Sequence, residues 1–430
     1  MKAIHQIADR LRITQTELHE RPIHELIRAI DAVSKIFLNP SHSLRQEAIA
    51  CLSQEASIEM AIFAVDDCFQ NLRSLSLTAL LEEELGDPLV LDSFRSRKVG
   101  RGKTRAFGPQ LITHILPGNI PSIGVMSLVT AILVKSASLV KISSQRPDLT
   151  PFFIRGLQAV SPLLAESVAI ISWNNANRSE MTAAFDRSDK VILYGSDETV
   201  STIAPRISPP TKLIVHGSKV SLGLIAKECV SREMAERAAI DVTLYDQRGC
   251  LSPHLYYIEA GGTSPAVGEN TPILFAEWLA DALQKTPFPK GFCSDDAASA
   301  IQQLRGVVPL KGGKVFGSNR GVEWTVLYDP DPTFEFSPLS RTIWIKPIQT
   351  LLDIGTVLSP IGKKFQAVGV ALSESDEKRE MLFNQLGLLG VSRICPIGAM
   401  QKPPLAWHHD GRFKILDLLR FVDEEDFALQ

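Results

Sequence analysis

The chain has 430 residues, 45% apolar and 22% charged, so it can bury two or three domain cores and is not disordered as a whole. Lysine and arginine number 45 against 48 aspartate and glutamate, a net charge of -3 that excludes the global positive field of a nucleic-acid binder. The six cysteines, at 51, 68, 229, 250, 293 and 395, lack paired CxxC spacing; this excludes a metal framework or disulfide scaffold and predicts reduced thiols in a cytoplasmic protein.

Residues 1–103 read as a mostly helical region. RPIHELIRAIDAVSKIFL and SLRQEAIACLSQEASIEMAIFAVDDCF carry apolar residues at three- and four-residue spacing, with Ser41 and Ser43 as caps. The N-terminus lacks the uninterrupted apolar core of a signal peptide. From Thr104 strands alternate with helices. TRAFGPQLITHI, SLVKI, VAIISW, KVILYG, KLIVHG and SLGLIA read as strands, and the segments between most of them as helices. This pattern predicts a parallel sheet covered on both faces, a nucleotide-binding domain over 104–244. Residues 115–134 carry no charge over about the length of a membrane span. Pro117, Gly118, Asn119 and Pro121 leave only 121–134 for a continuous helix, so a buried helix is expected and no membrane span.

SREMAERAAIDVTLYDQRGC reads as a helix running to Cys250. A second α/β lobe is expected over 245–400, with VVPLKGGKVFGSNRGVEWTVLYDP as a β-rich insertion. The tail, 401–430, is amphipathic near its end and suits docking on the first lobe or on another subunit. The fold class is therefore α/β, a Rossmann-type domain plus a second α/β domain, with a helical N-terminal region.

Four short segments could carry chemistry. DQRGCLSPH places Cys250 after a glycine and before a Ser-Pro-His turn, a candidate covalent nucleophile, although such a cysteine is also an ordinary core residue. LPGNIPS joins a strand to a helix, where the Asn119 amide and the N–H groups of a helix start can hold an oxyanion or simply cap the helix. SLVKISSQRP puts Lys141, Ser143, Ser144 and Arg146 at the end of a strand, where open α/β sheets bind ligands; the set suits a ribose phosphate. LYGSDET repeats the strand-to-helix geometry, with Gly195 allowing close approach and Ser196 as cap or phosphate contact. No G-x-G-x-x-G is present.

In this order, HILPGNIPSIGVMSLVTAILVKSASLVKISS, ILYGSDETV, VHGSKVSLG, DQRGCLSPH and RICPIGAMQKPPLAWHHDG resemble the aldehyde dehydrogenase superfamily, in particular its long-chain acyl-CoA reductase branch, the reductase component of bacterial luminescence. The resemblance implies Cys250 as the acyl-accepting nucleophile and Asn119 in the oxyanion hole. It also implies a nicotinamide cofactor, NADPH with NADH as the alternative, held without the glycine fingerprint. Pro117, Gly118, Lys141, Ser143, Ser144, Gly195, Ser196, Thr199, His216 and Gly217 are the expected cofactor contacts, with Glu335 as a further candidate for the nicotinamide ribose. Hydrolytic aldehyde dehydrogenases carry a glutamate in Glu-x-Gly-Gly-Lys; the matching VHGSK has Val215 there. A valine cannot accept a proton, so the thioester is expected to outlast water and take a hydride or pass to another thiol. His216 or His254 could supply acid/base function, and the absence of a nearby carboxylate is expected to favour a lowered Cys250 pKa.

The implied reaction is reduction of a long-chain fatty acyl thioester, from coenzyme A or an acyl-carrying protein, to the aldehyde. The implied assembly is a homo-oligomer, with an acyl-protein synthetase as a possible partner and no metal. An acyl-phosphate reductase of the glutamyl phosphate type and a non-redox acyltransferase or acyl-binding protein are the alternatives.

Overall fold

A computed structural model describes residues 2–99, 101–143, 146–171, 178–260, 271–373 and 377–425. Two parallel sheets dominate it. The strands β1 (Arg95–Ser96) and β2 (Lys103–Phe107) lead into a five-stranded sheet built from β3 (Leu111–Ile115), β4 (Ala137–Lys141), β5 (Val168–Ile171), β6 (Lys190–Tyr194) and β7 (Lys212–His216). Its order is β5-β4-β3-β6-β7, all pairs parallel. The strand order reverses at β3 and β6, and such a switch point opens a crevice beyond the carboxyl ends of the strands.

The second sheet has β8 (Val220–Ile225), β9 (Pro253–Glu259), β10 (Lys314–Gly317), β11 (Thr325–Tyr328), β12 (Thr342–Ile348), β13 (Phe365–Ala371) and β14 (Arg393–Pro396), ordered β10-β11-β12-β9-β8-β13-β14. Only β10 runs antiparallel to its neighbour. Two expectations are corrected here. The strand SLGLIA, placed before the 244/245 boundary, is β8 and pairs with β9 and β13, so the second sheet starts near Val220. Each of its six residues is buried, which suits a central strand covered on both faces. The segment read as a β-rich insertion is the edge of this same sheet, reached through a helix at Asp295–Val307. That helix has one fully buried apolar side chain, Ile301, and so a faint sequence signature.

The N-terminal helices wrap the first sheet. Lys2–His19 buries Ile4, Ala8 and Leu11 against one face, together with Leu111, Leu139 and Val191. Ile23–Leu38 places Leu26, Ile30, Val33 and Phe37 on the opposite core, with the apolar helix Ile123–Leu133. The helix Ser43–Leu52 is capped by His42, whose Nδ1 accepts from Leu44 N, rather than by either neighbouring serine. No described helix is long and apolar enough to cross a membrane.

The tail returns to the first lobe. Its last strand, β15 (Arg420–Glu424), pairs antiparallel with β2. Just upstream, the backbone N–H groups of Lys414, Ile415 and Leu416 donate to the buried Glu84 carboxylate at 2.8–3.0 Å. Leu405, Ile415 and Leu418 join the first lobe's core.

Candidate active site

The carboxyl ends of β3, β4, β6 and β7 lie in register, and most of the expected cofactor contacts follow directly from them. Pro117 and Gly118 follow β3, Lys141 ends β4 and Ser143 follows it. Gly195 and Ser196 follow β6, His216 ends β7 and Gly217 follows it. Gly118 is fixed by contact: a Cβ there would lie 2.7 Å from Ser143 Oγ. Ser196 caps the next helix, its Oγ accepting from Thr199 N at 3.2 Å, and Gly195 N donates to the His216 carbonyl at 3.1 Å. Lys141 is half-buried, and desolvation lowers its pKa. It has no polar partner among the described residues, so its ammonium suits an anionic or ribose-bearing ligand at this edge. Arg146 instead pairs with Glu55 of the N-terminal region at 3.0 Å, which withdraws it from a phosphate role. Ser144 lies outside the described residues. Glu335 is half-buried on the segment before β12 and is not among the residues lining the Cys250 cavity.

The second lobe presents Cys250 on a turn before β9. The approach is unusual: Tyr245, Asp246 and Gln247 take φ of 54°, 51° and 63°, and the adjoining Leu339, Ser340 and Arg341 take 63°, 54° and 60°. Left-handed runs of non-glycine residues cost energy and persist only where their surroundings fix them. Here the fixing groups are buried. Arg341 pairs with Asp246 at 2.6 Å, and the Gln247 side chain accepts from Thr342 N and donates to the Thr342 and Pro253 carbonyls, each at 2.8 Å. Ser221 Oγ of β8 donates to the Cys250 carbonyl at 2.6 Å. Gly249 packs closely: a Cβ would stand 3.1 Å from Gln401 Oε1 and 3.3 Å from Ile120 Cδ1, so either side chain would have to give.

Cys250 lines a cavity of about 190 Å³ between the lobes. Ile120, Ile123, Met126, Leu251 and Leu405 give it an apolar wall; Tyr194, His216 and His409 stand on the same wall. The cysteine keeps part of its surface accessible, yet protein surrounds the thiol closely. Burial first, and the Asp410 carboxylate second, push its pKa up to about 12, against backbone N–H bonds from Cys250 and Leu251 that pull it down. The expectation of a lowered thiol pKa is therefore overturned, chiefly because the thiol is desolvated and secondly because the tail brings in a carboxylate that local sequence does not.

Asn119 reaches the same turn. Its Nδ2 donates to the Arg248 carbonyl at 3.1 Å while its Oδ1 accepts from Ile120 N at 3.1 Å, orienting one amide hydrogen along the loop before Cys250. It lines a smaller adjoining pocket with Gly118 and Arg248. His254 is not among the cavity-lining residues. Its Nδ1 accepts from Ser337 N at 3.1 Å, and burial lowers its pKa to about 4, so it is a satisfied structural histidine. Val215 does not line the cavity either. Along β7 side chains alternate, and Ile214 and His216 are the two that line it, so the comparison drawn at Val215 concerns the wrong face of the strand.

His216 has partners that the sequence reading missed. Its Nδ1 lies 2.6 Å from Asp410 Oδ2, and its ring rests on Tyr194 at 4.4 Å and on His409 at 4.6 Å. Trp407 extends the stack at 4.9 Å from His409. Burial lowers the His409 pKa to about 3. The signal was present as WHHDG, three polar chemistry-bearing residues in a row in the tail. His216, His409 and Asp410 lie close enough together to chelate a cation. The direct hydrogen bond and the stacked rings describe instead a preformed pair that needs no ion.

Solved structures share this architecture along nearly the full chain. A benzaldehyde dehydrogenase of Corynebacterium glutamicum matches with a TM-score of 0.75 at 12% identity, over 99% of this chain and 89% of that one. The NADP complex of a glyceraldehyde-3-phosphate dehydrogenase from Methanocaldococcus jannaschii matches at 0.74 and 12%, over 98% and 94%. The fold is therefore that of an aldehyde dehydrogenase. The family model described as Acyl-CoA reductase (LuxC) matches residues 18–421, and the chain belongs to that family. Among curated relatives, the long-chain acyl-protein thioester reductase of Aliivibrio fischeri is 27% identical over 361 residues, 81% of this chain and 71% of the relative. The reductase of the same name from Photorhabdus laumondii is 24% identical over 430 residues, 96% and 84%.

Proposed function

We propose that this protein reduces a long-chain fatty acyl thioester to the aldehyde through a thioester on Cys250, with NADPH as the cofactor. The observation that carries the reading is the position of Cys250, at the head of an apolar cavity that opens beside the carboxyl edge of the first sheet. An acyl chain fits the apolar wall formed by Ile123, Met126 and Leu251. The names of the relatives favour an acyl-carrying protein as donor, served by a synthetase partner; coenzyme A is the other donor to test. A homo-oligomer remains the expected assembly.

The chain's own residues divide the work. Cys250 Sγ bonds the carbonyl carbon and the carrier thiol leaves. The Cys250 N–H and the second amide hydrogen of Asn119, whose Nδ2 also donates to the Arg248 carbonyl, would donate to the developing oxyanion, where fixed donors favour the tetrahedral state over the planar one. Lys141, Ser143 and the turns at Gly118 and Gly195 would hold the dinucleotide, which supplies the hydride when bound. The apolar wall and the stacked rings of Tyr194, His216 and His409 exclude water from the acyl-enzyme. Collapse of the resulting hemithioacetal returns the Cys250 thiolate.

The decisive test is Cys250→Ala, assayed by NADPH oxidation with acyl-CoA and acyl-protein of graded chain length. Loss of turnover with retained NADPH binding is expected; undiminished turnover would reject the role. Acyl phosphate in the same assay separates the alternative donor chemistry, and failure of NADPH to bind at all would favour the non-redox acyltransferase.

A further inference from the structure

The thiol of Cys250 is protonated at neutral pH, so whatever accepts its proton limits attack. We propose that Asp410, brought in by the C-terminal segment, holds His216 as the Nδ1–H tautomer and so makes Nε2 the proton acceptor for the Cys250 thiol. This deepens the reading of Cys250 as nucleophile and rests on it.

Three observations converge. The Nδ1–Oδ2 contact is 2.6 Å, and the side chains of His216 and Asp410 retain only 14% and 8% of their exposure, so water does not compete for the bond. Burial works against the Asp410 anion, but the hydrogen bond from His216 leads the effects that hold its pKa below the usual carboxylate value. The carboxylate is therefore the acceptor and Nδ1–H the donor, which leaves a lone pair on Nε2. Second, Tyr194 and His409 lie within 17° of parallel to the His216 ring and fix its plane. Third, Asp410 holds a left-handed φ of 57°, and its Oδ1 is buried with no hydrogen-bond partner among the described residues. A strained turn carrying a half-satisfied carboxylate is costly to keep, and such features gather where function requires them.

The remaining groups around the ring are accounted for. Tyr194 from β6 is neutral, its pKa pushed up to about 12 by burial. His409 is neutral, with Lys219 and Lys414 both disfavouring its charged form. Cys250 faces from the second lobe, close enough that the Asp410 charge acts on it. His216 is the ring in the stack whose Nδ1 is held by a carboxylate. As Sγ bonds the acyl carbon its proton passes to Nε2; as the bond to the carrier sulfur breaks, the same proton passes to the departing thiolate. After hydride addition and collapse, one proton from solvent converts the Cys250 thiolate back to the thiol, so each turnover consumes one hydride and one proton. Asp410 is a positioning residue here, and His216 lines the same cavity as the reacting thiol.

Two readouts test this in the intact protein. The first is the pH profile of Cys250 alkylation by iodoacetamide, followed by peptide mass in resting enzyme. The second is the pH profile of kcat/KM for acyl-thioester reduction. Asp410→Asn and His216→Gln should each lower alkylation and kcat/KM near pH 7 by about 100-fold, with KM little changed and the loss shrinking as pH rises toward the thiol pKa. The double variant should lose no more than either single one, because the two residues act as one unit. Imidazole added to His216→Ala should restore part of the alkylation rate. Wild-type alkylation profiles in His216→Gln and Asp410→Asn would overturn the proposal, and a folding defect in one leaves the other to decide. Alkylation needs no acyl substrate, so a wild-type enzyme that alkylates as described but reduces no acyl thioester would sink the substrate reading and leave the His216–Asp410 pair standing.

Discussion

Placing one sulfur at a cavity head takes buried charge in this protein. Arg341 and Asp246 keep 3% and 4% of their side-chain exposure and join the two left-handed turns that present Cys250. Arg341 also donates to the Phe288 and Pro289 carbonyls, so the guanidinium is saturated only while the aspartate is present. Asp246→Asn removes the countercharge and leaves a buried cation; a loss of about 3–5 kcal/mol is expected from urea denaturation. Turnover should fall in the fraction that stays folded, because the Gly249–Cys250 turn would drift from Ile120 and Gln401. An unchanged denaturation midpoint would show that the pair does not fix the turn.

At the scale of elements, the tail is part of the site. Trp407, His409 and Asp410 sit between the second sheet's last strand and the point where Glu84 accepts three backbone N–H groups. Those groups have no intrahelical partner to replace the carboxylate. Glu84→Ala is expected to destabilise by about 3 kcal/mol, the scale of leaving buried donors unmet, while Glu84→Gln keeps one acceptor oxygen and should cost less. The alanine variant should also expose the 401–418 segment to limited proteolysis and reduce kcat, since that segment carries the His216 partner. A proteolysis pattern equal to wild type would mean that β15 pairing with β2 suffices to hold the tail.

For the whole molecule, buried titrating groups set the response to acid. His114, His409 and His254 have pKa values lowered by burial from 6.5 to about 3, 3 and 4. Between those values and 6.5 the unfolded chain binds three protons that the folded chain does not, so each contributes stability above pH 6.5 that is lost as pH falls. Asp148 and Asp241 run the other way, raised by burial to about 6 and 7, so the folded chain holds their protons while an unfolded chain has lost them. Three groups against two predict a net loss of stability from pH 6 to 4, read as a falling Tm. His114→Gln, which keeps hydrogen-bonding capacity toward Ser127 and Ser138, should flatten that slope by one proton. A Tm that rises over this range would refute the assignment.

Alternation of strand and helix from Thr104, the charge-free helix and the loop Pro117–Asn119 were legible in the sequence, because each depends on spacing among near neighbours. The helix expected to run to Cys250 instead ends at Thr243, and buried partners distant in sequence hold the left-handed Tyr245–Gln247 run that follows. The sheet to which β8 belongs was not legible, since its fully buried residues read alike in either sheet. Nor was the state of the thiol: His216 and Asp410 are 194 residues apart, and no local pattern links them. Desolvation and the placement of a distant carboxylate exist only once the tail has folded back over the first lobe. The residues that could react were set by sequence; which of them meet, and in which protonation state, was set by packing.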